Sequence, residues 1–299
     1  MVKNNNNTLQ LNSRTGSITF TAMIVLYLFI TFIGQLIVGA FAPYGSVTYT
    51  AICASLSSIA MILVCVYFIG VKKQPFSEVT GVKKFNALYL FPAILMIGGM
   101  FSAFGFVNGA IANVFAGWGL NVSSITLKMD NVWHLVLYSF VLALLPAIVE
   151  ECFFRGLLLK CLSGIKPFSR VLLISTCFAL YHGNASQQIY QMIYGALLTL
   201  LAMRCGSTIP GMIVHFFNNF IVIIIEYFKI NVNLINPILI VSGLLMLGGA
   251  ISLIFFVLRP KEKPQVIGGE ALRFWLPFGF MGAFICHLTI VINLVSNLI

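Results

Sequence analysis

Acidic side chains are almost missing from this chain: there are seven Asp and Glu in 299 residues, within a charged fraction of only 8%. Soluble domains carry about 25% charged residues. So little polar surface cannot cover a globule, and the solvent implied is lipid. The seven cysteines show no CxxC and no paired spacing, and most stand in apolar runs, where cysteine behaves as a small hydrophobe. That leaves no basis for a disulfide framework or a thiolate metal site. HExxH is missing, and so is any internal repeat of the kind that marks transporters built from matched halves. A clustered basic face is missing too. The net charge of +10 is spread through loops between apolar runs, so nucleic acid is not an expected partner and membrane lipid is.

What the chain does have is long apolar runs, since 60% of its residues are hydrophobic. A membrane-spanning helix needs about 20 such residues. Candidates lie near 18–42, 49–71, 88–113, 132–158, 169–182, 187–204, 208–228, 236–258 and 274–298. The fifth and sixth are short, and the third and ninth contain several glycines; one re-entrant segment would reduce nine spans to eight. The expected fold class is therefore all-α, a polytopic transmembrane helical bundle of about eight to nine spans. Residues 1–17 are expected to be a disordered cytoplasmic tail, and 18–299 a single transmembrane domain. The first apolar run is too long for a signal-peptide core and reads as a retained span. An N-terminus in the cytoplasm places fourteen Lys and Arg on the inner side and only Lys128 and Lys229 outside, with Arg155 set apart within a span. The segment KKQPFSEVTGVKKFN (72–86) reads as a basic cytoplasmic loop lying against anionic headgroups. The glycines of IGGMFSAFG (97–105) suit close helix approach.

Charge inside a span costs roughly 2.5–3.5 kcal/mol on insertion scales, which singles out VEECFFRG at 149–156. Glu150 and Glu151 are the two acids within a span. At 1.5 Å per residue, Glu150 lies about 15 Å from Lys160, His182 about 18 Å from Arg170, and His215 about 16 Å from Arg204. Three helices thus bring one carboxylate and two imidazoles to nearly one level. His287 lies somewhat deeper, and His134 near the outer mouth; both read as packing residues. Glu151 and Arg155 are i,i+4 and can pair, which leaves Glu150 as the freer carboxylate facing the interior. His215 and Asn219 share the same spacing, as do Phe178 and His182. GNAS (183–186) then breaks its helix at membrane depth, where non-helical backbone needs protein or water around it.

A carboxylate, two histidines and water are the parts for hydrolysis. Glu150 can take and return a proton. His182 can share and orient the water, while His215 and Asn219 can stabilise an oxyanion. Glu150, His182 and His215 also make a candidate zinc set, two imidazoles and a carboxylate with a fourth position open, although nothing in the sequence requires a metal.

In order along the chain, EExxxR (Glu150, Glu151, Arg155), FxxxH (Phe178, His182) and HxxxN (His215, Asn219) resemble the three motifs of the CAAX-protease and bacteriocin-processing family, CPBP or Abi. The run GALLTLLAMRCGSTIPGMIVHFFNN (195–219) resembles the family's passage into the third motif, and the likeness covers about residues 132–222. The resemblance implies an intramembrane endopeptidase related to the type II CAAX prenyl endopeptidases, acting on a membrane-associated peptide or protein. It implies water activation by Glu150 and His182, an oxyanion hole from His215 and Asn219, and support from Glu151, Arg155 and Phe178. Family members are described both as metalloproteases and as metal-free glutamate proteases, and some are tied to bacteriocin immunity. An integral protein of a bacterial plasma membrane is expected, with substrate arriving from the cytoplasmic leaflet or from lipid. Two other classes stand beside this reading: a proton-coupled transporter, since Glu and His chains also relay protons, and a non-catalytic membrane interaction or immunity protein.

Overall fold

The computed structural model describes residues 11–120, 127–231, 235–258 and 268–295. The protein is all-helical, with no strand among the described residues. We number its helices α1 (Ser13–Gly39), α2 (Val47–Val71), the short α3 (Phe76–Thr80), α4 (Ala87–Gly117), α5 (Val132–Cys161), α6 (Pro167–Tyr181), α7 (Gln188–Cys205), α8 (Ile209–Phe228), α9 (Pro237–Phe256) and α10 (Glu270–Asn293). Seven of these, α1, α2, α4, α5, α8, α9 and α10, are long and apolar enough to cross a membrane. This is an integral membrane protein. The expected fifth span is the 15-residue α6, and the expected sixth is the less apolar α7; the two pack as a pair.

Helix α1 starts at Ser13, ahead of the expected boundary at 18, because Asn12 caps it by accepting the Thr15 N–H. The expected disordered tail overlaps this first turn, and its residues 1–10 lie outside the described part of the chain, as do 296–298 of the last expected span. In α4 and α9, Gly99 and Gly243 let the two backbones touch. A Cβ at Gly99 would stand 2.7 Å from Leu247 Cγ, and one at Gly243 would stand 2.5 Å from the Ala103 nitrogen. Small residues at such a crossing are how membrane helices gain dispersion contact without a hydrophobic drive.

The basic segment 72–86 is not a free interfacial loop. Its centre, α3, is a strap on the end of α5, with Val79 and Thr80 buried. Gly156 makes this possible, because any Cβ there would run into the backbone of Val79 and Thr80. The strap is tied to the turn before α8: the Thr208 N–H donates to the Gly81 carbonyl at 3.0 Å, and the Thr208 hydroxyl to the Thr80 carbonyl at 3.0 Å. Glu78 bridges Lys160 at 2.5 Å and Lys83 at 2.6 Å. These two ammonium groups, Lys160 first, hold its carboxyl down at about 2, below the ordinary 4.5. Arg14, Lys160 and Arg273 meet around a cavity of about 980 Å³ at this same end of the bundle, so the basic loops gather on one face.

Candidate active site

Helix α5 carries the glutamates through the centre of the bundle, and it is not a regular α-helix. Two π-helical stretches, Ser139–Leu144 and Glu151–Leu158, flank the α-helical turn Leu145–Glu150. Pro146 lies in that turn and has no N–H to return to the Leu142 carbonyl one turn earlier. That carbonyl accepts from α8, where the Asn219 Nδ2–H donates to it at 3.2 Å. π-Helical turns inside α-helices are rare and concentrate at functional sites.

The two glutamates face different surroundings. Glu151 is sealed in the core with Arg155, both side chains fully buried. Arg155 Nη1 donates to Glu151 Oε1 at 2.7 Å, and Nη2 to the Gly195 carbonyl at 3.1 Å, while the guanidinium stands 4.2 Å from the centre of the Phe178 ring. A third contact links Nε to the Thr199 hydroxyl at 3.4 Å. The planar fork and the aromatic face together use what only arginine offers. Glu151 Oε1 also accepts the Nδ1–H of His215 at 3.0 Å. A carboxylate can only accept, so this bond places the proton on Nδ1 and fixes the ring. The remaining nitrogen, Nε2, points toward Glu150, whose Oε2 is 3.9 Å away. That Glu150 oxygen, like Glu151 Oε2, is buried and has no hydrogen-bond partner among the described residues.

His182 closes α6, and its Nδ1 bonds the Phe178 carbonyl at 2.7 Å. A carbonyl likewise demands a donor, so the neutral ring keeps Nε2 as its lone-pair nitrogen. The Phe178 ring packs edge-on against both imidazoles, with centroids 4.6 Å from His182 and 6.0 Å from His215. It therefore sets the separation of the two histidines and itself stays out of the cavity. Gly183, at φ +63°, turns the chain out of the helix.

Glu150, His182, His215 and Asn219 all line one cavity of about 890 Å³. Glu151, Arg155 and Phe178 lie behind it. Asn131 caps the start of α5 by accepting the His134 N–H, His134 Nδ1 accepts the Asp130 N–H, and His287 is exposed on α10; neither histidine lines the cavity. Sequence reasoning missed two residues of this wall. The Tyr190 hydroxyl donates to Asn218 Oδ1 at 2.6 Å, and Asn218 Nδ2 donates to Asn219 Oδ1 at 3.3 Å. Together with the Asn219 bond to Leu142, this chain holds the Asn219 amide in a single orientation. The doubled Asn218–Asn219 was the available signal, but no spacing rule connects it to a tyrosine 28 positions earlier.

Among the described residues, no group of three or more His, Cys, Asp or Glu side chains is gathered closely enough to hold a metal ion. His215 gives its Nδ1–H to Glu151, an arrangement that metal-ligating histidines also adopt, and its Nε2 stands 3.9 Å from Glu150 Oε2. Glu150, His182 and His215 line the cavity together without being gathered as closely as metal ligands. The seven cysteines are all free.

Residues 132–221 match the family described as type II CAAX prenyl endopeptidase Rce1-like. The segment is Rce1-like. It runs from the first turn of α5 through α6 and α7 into α8, and it holds every residue of the cavity wall named above. The match is consistent with the CPBP likeness of the three motifs, and the family is one of intramembrane peptidases. No curated protein and no solved structure is similar to the chain. Helices α1, α2, α4, α9 and α10 lie outside the Rce1-like segment; α1, α2, α4 and α10 pack on it, and α9 packs on α4.

Proposed function

We propose that the protein is an intramembrane endopeptidase in which Glu150 and His182 activate a water molecule for attack on a peptide carbonyl. The observation that carries the reading is the shared cavity of Glu150, His182, His215 and Asn219 within the Rce1-like segment. Glu150 has an unshared carboxylate oxygen to receive the proton of water. His182, fixed through Nδ1, offers Nε2 as an acceptor that aligns the same water. The water oxygen then bonds to the carbonyl carbon, and the C=O π pair moves to oxygen. Asn219 retains one of its two amide N–H groups for that oxyanion, since only one is given to Leu142. His215 supplies a second donor through Nε2 when its ring holds both protons, with Glu151 and Arg155 orienting it from behind. Collapse of the intermediate breaks the C–N bond, and the proton held by Glu150 passes to the leaving amine.

The substrate class that the family name suggests is a prenylated C-terminal peptide in a membrane, and a bacterial plasma membrane is the setting that the Asn-, Ile- and Phe-rich composition favours. The test uses purified protein in nanodiscs with farnesylated and unmodified CAAX-type peptides, followed by mass spectrometry, with and without a chelator. Cleavage by wild type and its loss in Glu150→Gln, with the variant folded, is the expected result. Wild-type protein that cleaves no peptide, or Glu150→Gln that cleaves as well as wild type, would overturn the proposal.

A further inference from the structure

Side-chain amides have settled places over most of this molecule. Asn12, Asn86, Asn131, Asn184 and Asn236 each cap a helix or helical turn by accepting a backbone N–H. Asn218 and Asn219 belong to the hydrogen-bonded chain that ends on Leu142. Two others differ: Asn108 Oδ1 and Gln191 Oε1 are buried and have no hydrogen-bond partner among the described residues. Both residues line the cavity that holds Glu150, His182 and His215. Resting on the endopeptidase reading for its purpose, we propose that these two carboxamides form a subsite for the main chain of the substrate, their oxygens accepting peptide N–H groups near the scissile bond.

The subsite is assembled from two helices. Gln187, in the turn that leads into α7, and Tyr190 and Gln191 on α7 itself stand at i, i+3 and i+4, and all three line the cavity. Asn108 comes from α4, whose final stretch Val107–Gly117 packs against α7 and against Ala185–Gln187. Because α4 lies outside the Rce1-like segment, a residue beyond the matched helices completes this wall.

The chemistry of the ligand follows from the groups left over. A carboxamide oxygen can only accept, so its partner must carry an N–H or O–H. Buried acceptors in folded proteins are nearly always paired, and these two have no partner among the described residues. Every residue of a peptide except proline brings one main-chain N–H, whatever its side chain. In a helix those groups are already satisfied internally. A peptide opened for attack at a carbonyl carbon has them free, and inside a membrane a free N–H is costly. Asn108 and Gln191 offset that cost for an unwound substrate and leave a helical one without gain. The enzyme thereby selects exposed main chain, independently of side-chain identity at those positions.

Backbone esters test the subsite. In a set of otherwise identical farnesylated CAAX-type peptides, one amide N–H at a time is replaced by an ester oxygen, which deletes a donor and keeps every side chain. Binding is measured by fluorescence anisotropy on Glu150→Gln protein in nanodiscs, alone and with Asn108→Leu or Gln191→Met added; the all-amide peptide is the reference for each. The expected result is an ester at one or two positions that raises Kd about 3–10-fold, the share of a neutral hydrogen bond. Adding Asn108→Leu or Gln191→Met should abolish that penalty at one of them. Esters that cost nothing at any position, or cost the same with and without the carboxamides, would overturn the inference. If wild type cleaves the all-amide peptide and this coupling is missing, the subsite falls and the endopeptidase reading stands. Coupling in a protein that cleaves nothing removes the endopeptidase reading and keeps the subsite, and a protein that neither binds nor cleaves the peptides loses both.

Discussion

Glu150 and Glu151 are neighbours in the chain, yet one lines a cavity and the other is tied through Oε1 to an arginine and a histidine in a sealed core, while the Oε2 of each is buried with no partner among the described residues. The difference predicts different failures. Arg155→Ala leaves the Glu151 charge buried without its cation, a change that costs about 3–5 kcal/mol in known buried pairs. Removing both charges, as in Glu151→Leu with Arg155→Leu, should cost much less than the single substitution. Thermal unfolding in detergent of the two singles and the double decides this; additive losses would mean that the pair is not a coupled unit. Asn219→Ala removes a proposed oxyanion donor, and such deletions lower kcat by about 10²–10³-fold. The same change strands the Leu142 carbonyl, which costs about 1–3 kcal/mol when such a group is buried. Tyr190→Phe separates the two effects. It loses the bond to Asn218 but leaves Asn219 in place, so kcat should fall with KM and unfolding temperature near wild type. An unchanged kcat would show that the Tyr190–Asn218 chain does not position the amide.

Helix α5 shows what an element contributes beyond its residues. Pro146 denies Leu142 its helical partner, and α8 answers with Asn219, so a break in one helix becomes the fixing point of a residue on another. Pro146→Ala restores an N–H able to reclaim the Leu142 carbonyl. It should raise the unfolding temperature while lowering kcat, because Asn219 loses its anchor; a stabilised enzyme with undiminished kcat would separate the proline from the site. The α3 strap gives a pH dependence with a definite sign. Glu78 is held at about 2, below the ordinary 4.5, by Lys160 and Lys83. Its contribution is complete above about 4.5 and is lost as pH falls toward about 2. Melting curves across that window should fall more steeply for wild type than for Glu78→Gln, and parallel curves would discount the bridge. These elements also show what the sequence made legible. Helical rise set Glu150, His182 and His215 near one level from their distances to Lys160, Arg170 and Arg204, and the three line one cavity, although the stretch Glu151–Leu158 is π-helical and not the α-helix that this rise assumes. Rotation about a helix axis is not so readable. The bond from His215 to Glu151, the Asn219 anchor and the Tyr190–Asn218 pair all depend on how α5, α7 and α8 turn toward one another, and α3 became a strap only because Gly156 has no side chain.

At the scale of the whole molecule, the closed and open ends of the bundle divide stability from chemistry. The closed end holds the fully buried aromatic and leucine plug, the Arg155 pair and the strap. The open end holds a cavity of about 890 Å³ lined by Glu150, whose Oε2, like that of Glu151 in the closed end, has no partner among the described residues. A buried acceptor without a donor costs about 1–3 kcal/mol, and sites that need such groups trade stability for activity. Glu150→Met removes the stranded oxygen while keeping the volume and an unbranched stem. The fold should therefore gain what the site loses: cleavage abolished, and an unfolding temperature raised by about 2–4 °C for each kcal/mol recovered. Calorimetry of both proteins in the same nanodiscs, beside the peptide assay, checks the two halves together. If Glu150→Met melts lower than wild type, the carboxylate is part of what holds α5 in place, and the separation of a rigid floor from a reactive mouth fails with it.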